Sequence, residues 1–136
     1  MKKVLLFIML CASFCGMKAQ VVYSDYSDPD VCEGDDGDYW MTASSFQCTP
    51  GLPILHSRDL VHWELVNYAL ELVPPIERYA DVQHGCGVWA PSIRKHGNTY
   101  YIYWGDPDCG VYMVKATDPR GKWSRSEEHT SELQSP

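Results

Sequence analysis

Between residues 20 and 124 the apolar positions fall in short runs rich in aromatic and β-branched side chains. Gly, Pro, Asn and Asp fill the gaps between them. No stretch repeats its apolar residues at intervals of three and four over several turns, so no convincing amphipathic helix is predicted. Short strands separated by turn residues are the expectation, which is an all-β class. The pattern predicts strands over 38–43, 53–57, 63–70, 92–95, 99–104 and 110–116.

The predicted strands recur in order. Pro29-Asp30-Val31 precedes a Gly-Asp turn and Tyr39-Trp40-Met41, as Pro91-Ser92-Ile93 precedes a Gly-Asn turn and Tyr100-Tyr101-Ile102. Ile54 through Asp59 leads to Trp63, as Met113 through Asp118 leads to Trp123. The offsets are 62 for the prolines, 61 for the aromatic strands, 59 for the aspartates and 60 for the closing tryptophans. A period near 60 with about four strands per unit suggests propeller blades. Closing such a ring takes roughly four to eight blades, and this chain carries about two. It therefore reads as the N-terminal part of a larger protein.

Two end segments differ in kind. Residues 1–19 open with Lys2 and Lys3, continue as an apolar run over 4–14, and end in small residues at Ala19. This is the pattern of a secretory signal peptide, too short to stay as a membrane span, and it implies a secreted or periplasmic protein. Residues 125–136 begin R-S-E-E-H-T-S-E-L-Q-S, which reads as the translation of a sequencing-library adapter. This tail is left out of the fold reasoning and is expected to contribute nothing to the core.

The intervening 20–124 segment carries seven basic against fifteen acidic side chains, a net charge of −8. That excludes nucleic acid and anionic membrane surfaces as partners, since both need basic surface. Once the signal is removed, no other apolar stretch approaches the roughly 20 residues of a membrane span. Cys32, Cys48, Cys86 and Cys109 remain after signal removal, leaving three disulfide pairings or free thiols open. Zinc is disfavoured, because there is no C-x-x-C and His84 with Cys86 is not a ligand set.

Candidate chemistry lies at the entrance to each unit. Asp25, Asp28, Asp30, Glu33, Asp35, Asp36 and Asp38 place seven carboxylates in fourteen residues. Glu33 to Asp38 read as a turn-rich, solvated loop, and their spacing misses the EF-hand pattern. Asp28 is different. Pro29 biases it toward extended geometry, and a blade's innermost strand lines the propeller axis, so its carboxylate is a candidate general base facing a central funnel. At the matching place in the second unit stands His84-Gly85-Cys86-Gly87-Val88-Trp89-Ala90-Pro91, where Trp89 either offers a flat aromatic face of the kind that sugar rings stack on or plugs the core between the two blades.

Three further stretches complete a pattern with Tyr26-Ser27-Asp28-Pro29-Asp30-Val31. They are Tyr39 to Phe46 (YWMTASSF), Pro50 to Trp63 (PGLPILHSRDLVHW), and Gly87 to Ile93 (GVWAPSI). In this order they resemble glycoside hydrolase family 43, from about Tyr26 to Trp123. The resemblance implies a five-bladed β-propeller, of which about two N-terminal blades are present. It also implies inverting hydrolysis of xylan- or arabinan-derived oligosaccharides by a β-xylosidase or α-L-arabinofuranosidase. By motif, Asp28 is the general base, and Phe46 and Trp89 are walls of the sugar subsite. The general acid and the aspartate that tunes it come from later blades in that family. Glu64, Glu71 and Glu77 do not match them, so this segment is expected to be inactive alone. No cofactor is required; a structural calcium occurs in some relatives, but no ligand set here supports one. The competing expectation is a non-catalytic sugar-binding propeller.

Overall fold

In the computed structural model, residues 24–35 and 37–124 are described, together with the backbone of 127–129. The signal-peptide reading of 1–19 lies outside the described residues, as does Asp36. Eight strands and one helical turn follow in order: β1 (Asp30–Glu33), β2 (Tyr39–Thr42), β3 (Gly51–Ser57), β4 (Glu64–Leu70), α1 (Ile76–Tyr79), β5 (Trp89–His96), β6 (Thr99–Asp106), β7 (Gly110–Ala116) and β8 (Glu127–His129). They form two four-stranded sheets, ordered β1-β2-β3-β4 and β5-β6-β7-β8, with every neighbour antiparallel. The fold is all-β, and the two units of the repeat are the two sheets.

The repeat extends to its turns. After β3, Asp59 Oδ1 accepts the Val61 and His62 amides at 2.9 and 2.8 Å, and Trp63 Nε1 donates to Leu60 O. After β7, Asp118 Oδ1 accepts the Arg120 amide at 2.9 Å, and Trp123 Nε1 donates to Pro119 O. Both are aspartate-stabilised turns closed by an indole. The second is one residue longer, which explains why the spacing drifts from 59 to 60.

The sheets are held together by a shared core. Trp40, Leu52 and Ile54 of the first meet Ile93, Ile102 and Trp104 of the second, all buried. Trp104 and its cross-strand partner Tyr112 stack at 5.5 Å. Polar contacts stitch the seam along its length. Asp30 Oδ2 accepts the Ile93 amide at 2.7 Å and pairs with Arg94 at 2.5 Å. Lys95 reaches Asp35 at 2.8 Å, and Arg120 lies 5.0 Å over the Trp40 ring. Asn67 of β4 donates to the carbonyls of Pro119 and Gly121.

Two expectations are corrected here. A strand absent from the predicted set, β1, forms over Asp30–Glu33 inside the acidic stretch. Its residues alternate between half-buried and exposed, so its charges sit on a pleat and are not confined to a turn. Second, β5 begins at Trp89, three residues before the predicted start. The backbone of Glu127–His129, within the tail read as adapter-derived, pairs with β7 as the fourth strand of its sheet. Such pairing uses backbone groups that any non-proline sequence provides. Helix α1 buries none of its residues.

Candidate active site

Asp28, Phe46 and Trp89 come together at one end of the seam, where β1 and β5 begin and β2 ends. The three are linked through backbone and one hydroxyl. Phe46 N donates to Val88 O at 3.1 Å, and Val88 N donates to Phe46 O at 2.9 Å, an antiparallel bridge between the sheets. It sets Phe46 opposite the residue preceding Trp89. Ser44 Oγ donates to Asp28 Oδ2 at 2.8 Å and accepts the Ala90 amide at 2.8 Å, which ties Asp28 to the residue following Trp89.

The backbone here is unusual. Asp28, Phe46 and Ala90 all have left-handed φ, at 49°, 51° and 38°, so Asp28 departs from the extended geometry expected of a residue before proline. Non-glycine residues in that region are strained and persist only where their surroundings fix them, a situation that clusters at functional sites. Gly87 has φ 101°, and a Cβ there would lie 2.3 Å from Phe46 O. The Phe46–Val88 bridge therefore requires glycine at 87.

Phe46 and Trp89 remain 36% and 44% exposed, so neither side chain is lost in the core of the seam. The Trp89 indole is oriented by Nε1 donating to Gly85 O at 2.7 Å. Aromatic faces presented to solvent next to a carboxylate suit a sugar ring, whose C–H face stacks while its hydroxyls hydrogen-bond.

The excursion between β4 and β5 is pinned over the turn that joins β6 to β7. Tyr79 OH donates to Asp106 Oδ2 in a short hydrogen bond, and Asp106 Oδ1 accepts the Asp108 and Cys109 amides. Burial, then the Asp106 contact, pushes the Tyr79 phenol up. Arg78 pairs with Asp108 at 2.7 Å, and the Cys86 thiol donates to the same carboxylate at 3.4 Å. Gln47, next to Phe46, accepts the Gln83 amide in another short contact. The segment carrying Gly85, Gly87 and Trp89 is thus anchored at both flanks.

At the opposite end of the sheets, His56 Nε2 donates to Asp38 Oδ1 at 2.7 Å, which holds that carboxyl below its usual range. A concavity of about 300 Å³ lies there, lined by His56, Arg58, Asp59 and His62. Another, of about 790 Å³, runs between β4 and the turn after β7. Neither is lined by Asp28, Phe46 or Trp89. Cys32, Cys48, Cys86 and Cys109 are free thiols. Among the described residues no group of three or more His, Cys, Asp or Glu is arranged to hold a metal ion.

Ser44 and Gly87 were not singled out from the sequence for these roles. The offset of 61 that aligns Tyr39 with Tyr100 aligns Ser44 with Gly105, so the repeat offers no clue to the hydroxyl. Gly87 carries the sequence signal of a tight backbone, but its partner across the seam is visible only in three dimensions.

The model for glycosyl hydrolases family 43 matches residues 17–135. A non-reducing-end α-L-arabinofuranosidase from Bacteroides ovatus is 38% identical over 101 residues, 71% of this chain and 19% of that protein. A xylosidase/arabinosidase from Butyrivibrio fibrisolvens is 35% identical over 100 residues, 73% of this chain and 19% of its own length. Among solved structures, a Bacteroides ovatus xyloglucan-locus GH43B protein aligns with TM-score 0.59 and 35% identity, covering 74% of this chain and 21% of that one. A GH43_12 protein from a capybara gut metagenome aligns with TM-score 0.64 and 33% identity, covering 76% and 20%. The chain spans about a fifth of the length of these relatives. With the family model matched over nearly its whole length, and its two sheets superposing on solved members, the chain belongs to glycosyl hydrolases family 43.

Proposed function

We propose that the full-length protein is an exported, inverting glycosidase of the β-xylosidase or α-L-arabinofuranosidase type, acting on xylan- or arabinan-derived oligosaccharides. The observation that carries this reading is Asp28, a carboxylate fixed by Ser44 at the rim of the seam beside two exposed aromatic rings. The names of its relatives, an arabinofuranosidase and a xylosidase/arabinosidase, support the substrate class.

In this reading Phe46 and Trp89 wall the sugar, and Asp28 takes a proton from a water as that water attacks the anomeric carbon. Inversion needs base and acid roughly 6.5–9.5 Å apart, with the water between base and sugar. A five-bladed ring would supply that separation, with the acid on a later blade across the axis. The first two blades then contribute the base and the aromatic wall, and on their own they turn over no substrate.

Nitrophenol release from 4-nitrophenyl β-D-xyloside and α-L-arabinofuranoside by the full-length protein tests the reading, with proton NMR of the first-formed anomer. Turnover of either substrate with inverted product is expected. Binding of xylo- or arabino-oligosaccharides without hydrolysis would overturn it in favour of a sugar-binding propeller.

A further inference from the structure

Ser44 holds the segment leading into β1 in two ways. Its amide donates to Ser27 O at 2.9 Å, and its hydroxyl bonds to Asp28 Oδ2 at 2.8 Å. The same hydroxyl oxygen meets the Ala90 amide at 2.8 Å. The direction of these bonds follows from inventory. An amide N–H only donates, so Ser44 Oγ accepts from Ala90; a hydroxyl has a single proton, and that proton goes to the carboxylate.

A buried serine often serves its own turn. Ser57 does so, accepting the Asp59 and Leu60 amides two and three residues on. Ser44 is different, because its hydroxyl partners lie 16 and 46 positions away and on opposite sides of the seam. It is 9% exposed, so water does not readily replace either bond. The residue it grips, Asp28, has φ 49°, a left-handed backbone that aspartate reaches more readily than most residues when its side chain is hydrogen-bonded.

We propose that Ser44 is the positioning residue for Asp28. Its hydroxyl, locked by the Ala90 amide, fixes Oδ2 and leaves Oδ1 as the atom that receives the proton of the attacking water. The orientation of the base then depends on a donor from the second sheet, so the base works only when the seam is closed. This rests on the reading of Asp28 as general base.

The test uses the full-length protein with Ser44→Ala, Ser44→Thr and Asp28→Asn. Loss of a hydrogen bond to a charged group should lower kcat roughly 10- to 100-fold in Ser44→Ala, with KM within about threefold of wild type, because the sugar walls are untouched. Ser44→Thr keeps the hydroxyl and should recover most of the loss. Adding Ser44→Ala to Asp28→Asn should cost little more, since the two act as one unit. A Ser44→Ala kcat within about twofold of wild type, alongside a dead Asp28→Asn, would overturn the positioning role and leave the base assignment standing. So would a threonine variant no better than alanine. Full activity of Asp28→Asn would overturn the base assignment and the role of Ser44 with it. A crystal structure of Ser44→Ala supplies a readout independent of turnover. A rotated or doubly oriented Asp28 carboxylate supports the proposal, and an unchanged single orientation overturns it.

Discussion

Replacing Gly87 by alanine isolates the contact on which the aromatic wall depends. Gly85 is its natural control, because both glycines have left-handed φ, 101° and 75°. Each alanine therefore carries a conformational cost of about 1–2 kcal/mol. They differ in space. A Cβ at 85 meets nothing within 4 Å, whereas at 87 it would lie 2.3 Å from Phe46 O, 2.6 Å from Phe46 C and 3.0 Å from Gln47 N. Those are backbone atoms with no flexible tip to move aside, so the Phe46–Val88 bridge must open. Losing its two hydrogen bonds, at about 1 kcal/mol each, makes Gly87→Ala costlier than Gly85→Ala by about 2 kcal/mol. In the full-length protein Gly87→Ala should melt several degrees below Gly85→Ala and show the larger rise in KM for the nitrophenyl glycosides, as Phe46 and Trp89 separate. Equal melting temperatures and equal KM values would refute the reasoning.

Three more outcomes follow from the geometry. The His56 hydrogen bond lowers the Asp38 carboxyl in the folded state, so its stabilisation is full above the unfolded value of about 3.9 and is lost as pH falls through the lower folded value. The melting-temperature gap between wild type and Asp38→Asn should therefore close as pH drops below about 4, and a gap that stays constant would contradict this. Burial, reinforced by the Asp30 carboxylate, pushes the Cys32 thiol up to about 11; iodoacetamide at pH 8 should therefore label exposed Cys48 well before Cys32, as followed by peptide mass spectrometry, with equal rates counting against it. Tyr79→Phe removes the tie to Asp106 and should speed tryptic cleavage after Arg78, an effect that a time course on gels would show or refute.

The period near 60 was legible because each unit repeats the same turn chemistry, an aspartate capping its own turn and an indole closing it. Strand β1 was legible only as the strand that Asp28 leads into, and its charges masked its range. Asp30 spends its carboxylate on the Ile93 amide and Arg94, partners more than sixty residues away, so no local pattern marks it as structural. The motif singled out Asp28, Phe46 and Trp89, and in the structure the three are linked through Ser44 and the Phe46–Val88 bridge. What held them there was not legible. The Ser44 hydroxyl and the Phe46–Val88 bridge both cross between sheets, and nothing in the sequence around either partner names the other. The helical turn α1 buries no side chain, so it leaves no apolar periodicity to read.

Turnover by Asp28→Asn in the full-length protein tests the central claim most directly. Asparagine keeps the shape of the side chain and can still meet Ser44, but it cannot take a proton from water. The account predicts a kcat roughly 10²–10⁴-fold below wild type, with oligosaccharide binding retained by Phe46 and Trp89. A variant that hydrolyses aryl xyloside or arabinofuranoside at close to the wild-type rate would contradict it.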